Sequence, residues 1–441
     1  MASAKSRICL VTPGQPSTNP RLVKEADALH EAGYDVQVVA CKYQAWADEA
    51  DKAFEDREWS VTWLRYGRMA PRPQDLWQRG RRRVAKELVQ FAGPQPGLTE
   101  RAFHYAIPEL TRRLQQISAD LYIAHNLAAL PPASYAARQH DAKLGFDAED
   151  FHRGELPDTP ENALDRSITA DLEARYMPRS DYVTAASDGI ADAYAEVLGI
   201  DRPTTILNVF PWTERENTVS EEDLEDEVPG GARSLYWFSQ TIGPDRGLED
   251  ALRALPRLPD DVVLSLRGGW SPGYEDTFRE KARRLGVADR IRHLNLVSPD
   301  ELIPRTARHD VGLAVEPGSS LNNEIAVSNK FFSYLIAGIP VVSTNTPGQR
   351  PVVDDLPRVA RSYPPGEIDE FVEATMALLD ASGLRDMALQ AARDRYCWEV
   401  EQKRFLQIVR NTLERPNPTP TEQSVLSGNR EDSDERVTGL S

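Results

Sequence analysis

Cysteine is scarce: three residues in 441, Cys9, Cys41 and Cys397, with no C-x-x-C pair and no metal-ligand spacing. That excludes a disulfide framework and a thiolate zinc site. Cys9 and Cys41 lie in strand-like apolar runs and read as buried, inert thiols. Long apolar runs are missing too, and no stretch approaches the roughly 18 residues of a membrane span. The first residues lead almost directly into a strand, without the charged, apolar and small-residue pattern of a leader. A cytoplasmic location is therefore expected. Positive charge is in deficit: 52 Lys and Arg against 69 Asp and Glu leave a formal net charge of -17. Nothing in that balance neutralises phosphate along a nucleic-acid footprint, so no nucleic-acid partner is expected. No D-x-D motif stands at a plausible strand end, so no metal and no cofactor is expected.

What is present describes a globular enzyme-sized chain. Forty per cent apolar and 27% charged residues are ordinary values, and the length suggests about two or three domains. Strand and helix patterns alternate, the signature of an α/β protein with parallel sheets. Strand-like runs lie at Arg7–Thr12, Asp35–Ala40, Leu121–Ala124, Lys143–Asp147, Asp181–Thr184 and Thr204–Leu207. A helix from about Arg21 to Ala32 stops at Gly33. From Pro211 to Gly231 the chain turns acidic and closes on Pro229-Gly230-Gly231, which reads as an exposed linker. A second series follows at Ser234–Phe238, Val262–Leu266, Ile291–Leu294, Val311–Ala314 and Ile339–Val342.

Two doubly wound, Rossmann-like lobes facing a central cleft fit this order. Residues 1–210 form the first lobe, 211–231 the linker, 232–390 the second lobe and 391–414 a C-terminal helix. The Pro-, Ser- and acid-rich tail 415–441 reads as disordered.

The most telling segment is Ser328-Asn329-Lys330 through Gly338-Ile339-Pro340-Val341-Val342. It reads as a short helix opened by a Ser/Asn cap, ended by glycine and followed by a buried strand. Such a helix start presents free N–H groups and a positive dipole end, a seat for phosphate. Lys330 in its first turn opposes the dipole unless an anion lies between them. The segment Arg79–Phe91 is the one strongly basic patch. It fits a solvated lobe surface or a peripheral contact with the inner face of an anionic membrane.

These motifs together resemble the family 4 glycosyltransferases, retaining GT-B enzymes that use nucleotide-sugar donors. The matching residues are Asn19-Pro20-Arg21 with Lys24-Glu25, Gly33-Tyr34-Asp35-Val36, Ala124-His125-Asn126, Phe146-Asp147-Ala148, Leu207-Asn208, Asp245-Arg246-Gly247-Leu248-Glu249, and Asn329-Lys330 through Val342. The resemblance implies donor diphosphate bound by Arg246, Lys330 and the backbone at Ser328 and Asn329, in place of a metal. It further implies that His125 touches the donor sugar, and that Ser333 stands where the family has its ribose-binding glutamate. Ser239 and Gln240 replace the family's G-R turn, and Gly268 offers close backbone approach to the nucleotide. Glu316, and Glu324 with Asn322 and Asn323, are candidates for sugar hydroxyls.

Asn19, Arg21 and Asp147 are candidates on the acceptor side; as plain structure, Asn19 would be a helix cap and Arg21 a solvent-facing arginine. The acids Asp147, Glu149 and Asp150 also fit a loop and helix cap. The expected activity is transfer to a glycan or lipid-linked acceptor, in polysaccharide or cell-envelope synthesis. A sugar-nucleotide epimerase and a non-catalytic scaffold of the same fold are the alternatives.

Overall fold

The computed structural model describes residues 5–54, 56–225 and 227–416. The tail expected to be disordered lies, from residue 417, outside the described residues.

Two sheets, each wholly parallel, organise the chain. The first has seven strands: β1 (Arg7–Val11), β2 (Asp35–Lys42), β3 (Ser60–Arg65), β4 (Leu121–His125), β5 (Lys143–Ala148), β6 (Tyr182–Ala185) and β7 (Thr204–Thr205), in the order β3-β2-β1-β4-β5-β6-β7. The second has six: β8 (Arg233–Ile242), β9 (Val262–Trp270), β10 (Ile291–Leu294), β11 (Val311–Ala314), β12 (Val341–Thr344) and β13 (Ala360–Tyr363), in the order β10-β9-β8-β11-β12-β13. β1, β4, β5, β11 and β12 are buried nearly throughout, as strands covered by helices on both faces must be. The two-lobed, Rossmann-like expectation is met.

Each sheet reverses its strand order once, between β1 and β4 and between β8 and β11. Open α/β sheets bind ligands beyond the carboxyl ends of strands at such switch points. His125 ends β4, Arg246 lies in the loop after β8, and Glu316 follows β11.

The chain crosses between lobes twice. The acidic stretch 211–231 is not exposed throughout as expected: Glu227 is buried, paired with Arg267 and, at 2.7 Å, with Arg305. The C-terminal helix Trp398–Glu414 returns to the first lobe, its Trp398 N–H donating to the Phe210 carbonyl at 2.9 Å.

Candidate functional site

A cavity of about 240 Å³ opens between the lobes. From the second lobe Arg246, Glu316 and the run Ser328–Lys330 line it; from the first lobe come Glu149, Asp150 and Asn208. Sequence-derived candidates Arg246, Glu316, Ser328, Asn329 and Lys330 therefore share one wall.

The local backbone explains that wall. β8 runs on to Ile242, and the chain then turns through Asp245 (φ 59°) and Gly247 (φ 74°) before the helix Leu248–Ala254 begins. A side chain at Gly247 would collide with the Val315 carbonyl, so glycine lets the Arg246 loop lie against the end of β11. The helix Asn329–Ala337 starts at the cavity with Ser328 in the N-cap position, but no side chain caps it. Its first residues, Ser328 to Lys330, line the cavity, which places the positive end of the helix dipole there. Gly338 (φ 79°) ends the helix as expected.

Lys330 meets an anion from its own lobe. Its Nζ donates to Glu316 Oε1 at 2.6 Å and lies 5.3 Å from the Trp237 ring centroid. Arg246 is exposed and makes no hydrogen bond or ion pair among the described residues.

The opposite wall rests on a buried polar cluster. Arg21 is fully buried, its guanidinium forking onto Asp147 at 2.5 and 2.7 Å and donating to the Ile206 carbonyl at 2.6 Å. Thr184 donates to Asp147 at 2.7 Å. His125 is also fully buried, with Nε2 3.2 Å from Glu25 and Nδ1 3.4 Å from both Asp147 and Glu149. Burial alone would lower the imidazole's pKa, but the Glu25 charge and the hydrogen bonds the ring donates to Asp147, Glu149 and Glu25 hold it well above the ordinary value. Burial raises the Glu25 carboxyl, against the opposing pull of His125. Burial would also raise Asp147, yet Arg21 and His125 carry it below the usual carboxylate range.

Potential ligand atoms of Glu25, His125 and Asp147 lie within 4.8 Å of one another. Their charge is already balanced by the Arg21 guanidinium and the imidazolium.

A short segment of the second lobe closes one side of the cleft. In the helix Leu321–Ile325, the Asn322 amide accepts from the Phe151 N–H at 2.7 Å and donates to Asp150 at 2.8 Å. Ser187 Oγ donates to the Ile325 carbonyl at 2.7 Å.

Several expectations are corrected. Arg21 faces no solvent, and neither it nor Asp147 lines the cavity, because both neutralise each other beneath it. Asp147 is accordingly neither a loop residue nor a cap. His125 sits behind Glu149 rather than at the surface of the cavity. Asn19 does cap the helix Pro20–Glu31, accepting from the Leu22 N–H, and its amide is held by Glu149 at 2.7 Å. Ser239 and Gln240 form no turn: they belong to β8, where a bulge falls between Phe238 and Thr241.

Gly268 likewise belongs to β9, and a side chain there would meet the Ser239 carbonyl, so the neighbouring strand rather than a nucleotide requires glycine. Ser333 is buried, its hydroxyl turned back to the Asn329 carbonyl at 3.4 Å. Glu324 is exposed and is not among the cavity-lining residues, whereas its neighbour Asn323 is. Asn323, a candidate together with Glu324, reaches the cavity, as do Asp245, Asp150, Asn208 and Gln349. Asp245 and Asn208 carried a signal as motif residues and Asp150 as one of three neighbouring acids; Gln349 carried none.

Residues 18–208 match the family model described as the glycosyl transferase 4-like domain. No curated protein matches the sequence. Among solved structures, a glycosyltransferase from Rickettsia africae is 13% identical, with a TM-score of 0.67 over 94% of this chain and 100% of that one. Sucrose-phosphate synthase from Thermosynechococcus elongatus is 15% identical, with a TM-score of 0.68 over 92% of this chain and 99% of that one. HepE from Anabaena, in complex with UDP and glucose, is 17% identical, with a TM-score of 0.64 over 92% of this chain and 100% of that one.

At these identities the structural likeness is one of fold, and that fold is GT-B. The first lobe is a glycosyl transferase 4-like domain. The family match thus covers the first lobe, and the GT-B fold covers both lobes.

Proposed function

We propose that the chain transfers a sugar from a nucleoside diphosphate donor to a glycan or lipid-linked acceptor, with retention at the anomeric carbon, in polysaccharide or cell-envelope synthesis. One observation carries this reading: Arg246, Lys330 and an uncapped helix start converge on one inter-lobe cavity. Two cations and a helix dipole suit a leaving diphosphate, whose charge grows as the glycosidic bond breaks. The guanidinium of Arg246 offers two parallel donors to phosphate oxygens.

Lys330 would exchange Glu316 for the diphosphate, releasing Glu316 to accept from a sugar hydroxyl. Glu149, Asp150 and Asn208, on the facing wall, would orient the acceptor. Arg21 and Asp147 act from beneath by fixing His125, which with Asn19 holds Glu149 in place. No side chain is assigned as a covalent nucleophile; the acceptor attacks from the face the diphosphate leaves. The cavity, about 240 Å³, is smaller than the roughly 300–1,000 Å³ of small-molecule sites. Donor entry therefore involves parting of the lobes at the Asn322 contact, and reaction follows their closure.

HepE was captured with UDP and glucose, so UDP-glucose is the first donor to test. Incubation with a panel of nucleotide sugars should release free nucleoside diphosphate with one of them. NMR of the product should show the donor's anomeric configuration retained. Binding without release for every donor and acceptor would favour the scaffold.

A further inference from the structure

Gln349 lies in the turn after β12 and is 2% exposed. Its amide nitrogen donates to the Ala314 carbonyl at 3.1 Å, the Thr344 carbonyl at 3.4 Å and the Thr344 hydroxyl at 2.8 Å. Ala314 and Thr344 end β11 and β12. Two of these three partners are carbonyls, which only accept, so flipping the amide would set oxygen against oxygen. The other end, Oε1, is therefore an acceptor of fixed identity. It has no donor among the described residues, and Gln349 lines the inter-lobe cavity.

A second acceptor on the same wall also lacks a donor. Glu316 gives Oε1 to Lys330, and its Oε2 is buried without a partner among the described residues. Thr344 links the two residues: its hydroxyl accepts from Gln349 and donates to the Glu316 carbonyl at 2.7 Å. The turn is held from its other side as well. The Gly348 N–H donates to the Glu324 carbonyl at 2.9 Å, and a side chain at Gly348 would collide with the Ala326 carbonyl. Gln349 is thus fixed by β11, β12 and the segment that closes the cleft.

A buried acceptor without a donor is costly, and a ligand that donates removes the cost. A phosphate oxygen cannot do so, being itself an acceptor, whereas a sugar hydroxyl can. We infer that Gln349 Oε1 accepts from a hydroxyl of the transferred sugar, a different one from that taken by Glu316, and so selects the donor sugar. This rests on the nucleotide-sugar reading above and names a residue that discriminates within it. Gln349 takes no part in bond breaking. Sugars lacking that hydroxyl leave its oxygen unpaired, and the site rejects them for that reason.

The test is calorimetric titration of the full chain with UDP, UDP-glucose, UDP-galactose, GDP and GDP-mannose, then with monodeoxyfluoro analogues of the sugar nucleotide that binds best. Fluorine fills the place of a hydroxyl but cannot donate. Two analogues should bind the wild type about tenfold more weakly than the parent, one through Glu316 and one through Gln349. In Gln349→Met one of those losses should shrink to about twofold or less while the other persists. Affinity for the free diphosphate should stay within about twofold of the wild type. Gln349→Asn keeps an amide but draws its oxygen back; it should behave alike, and it replaces the methionine variant should that fail to fold. Both losses persisting in the variants, or all analogues binding the wild type alike, would overturn the inference and leave the transfer reading intact. An equal loss of affinity for the free diphosphate would move the contact to the ribose and overturn it too. A wild type that binds none of the sugar nucleotides would defeat the transfer reading and this inference together.

Discussion

Lys330 and Glu316 face each other across 2.6 Å at the floor of the inter-lobe cavity, while Arg246 on the same wall has no such partner among the described residues. The first cation is therefore held by a carboxylate that any incoming phosphate must displace. Glu316→Gln should remove that competition and tighten UDP binding about two- to fivefold, the worth of a partly exposed ion pair. Turnover should fall about 100-fold if Glu316 then contacts the sugar in the transition state. Calorimetry and a release assay measure the two effects separately. Tighter binding with unchanged turnover would confine Glu316 to holding Lys330.

The imidazole of His125 is expected to stay protonated well above its ordinary range, held by Glu25, Asp147 and Glu149. A histidine whose folded pKa is raised contributes stability fully below about pH 6.5, and that stability is lost as pH rises through the folded value. Ring-nitrogen shifts in ¹⁵N NMR should report imidazolium for His125 at pH 7, where an ordinary histidine is mostly neutral. In His125→Gln the melting temperature should fall less steeply with pH above about 6.5 than in the wild type. A neutral ring at pH 7 would contradict this electrostatic picture.

Arg21 and Arg246 should separate structure from binding. Arg21→Met leaves Asp147 buried without its guanidinium partner, which costs about 3–5 kcal/mol of stability. Arg246→Ala removes an exposed side chain and should change stability by no more than about 0.5 kcal/mol. Chemical denaturation compares them, and similar losses in both would refute the buried pairing.

Gly247 should tolerate no side chain. At φ 74° and against the Val315 carbonyl, Gly247→Ala must move the Arg246 loop. A destabilised protein with weakened UDP affinity is expected. Unchanged affinity and melting temperature would show that the close approach is unimportant.

Much of the fold was legible because buried parallel strands are continuous apolar runs: Leu121–Ala124 and Val311–Ala314 could be read almost to the residue. β3 and β13 were not, because they are edge strands with half-exposed, polar positions such as Thr62, Arg361 and Ser362. Arg246 and Lys330 were legible because their chemistry follows local backbone, a glycine turn and a helix start. His125, Arg21 and Asp147 look in sequence like cleft residues, since strand-end polar groups read alike whether or not a helix covers them. Only the packing of Pro20–Glu31 over them reveals burial. Ser239 and Gln240 were misread because β8 continues past Phe238 through a bulge. Asp150 and Asn323 reach the cavity through a lobe contact between distant segments.

The most direct measurement is calorimetric titration of UDP into the wild type, Arg246→Ala and Lys330→Ala, with melting temperatures recorded alongside. Each substitution should weaken affinity about tenfold or more, in keeping with charge-assisted phosphate contacts of about 1.5–3 kcal/mol, and leave the melting temperature nearly unchanged. Wild-type affinity in both variants would show that the diphosphate does not bind where Arg246 and the helix Asn329–Ala337 meet.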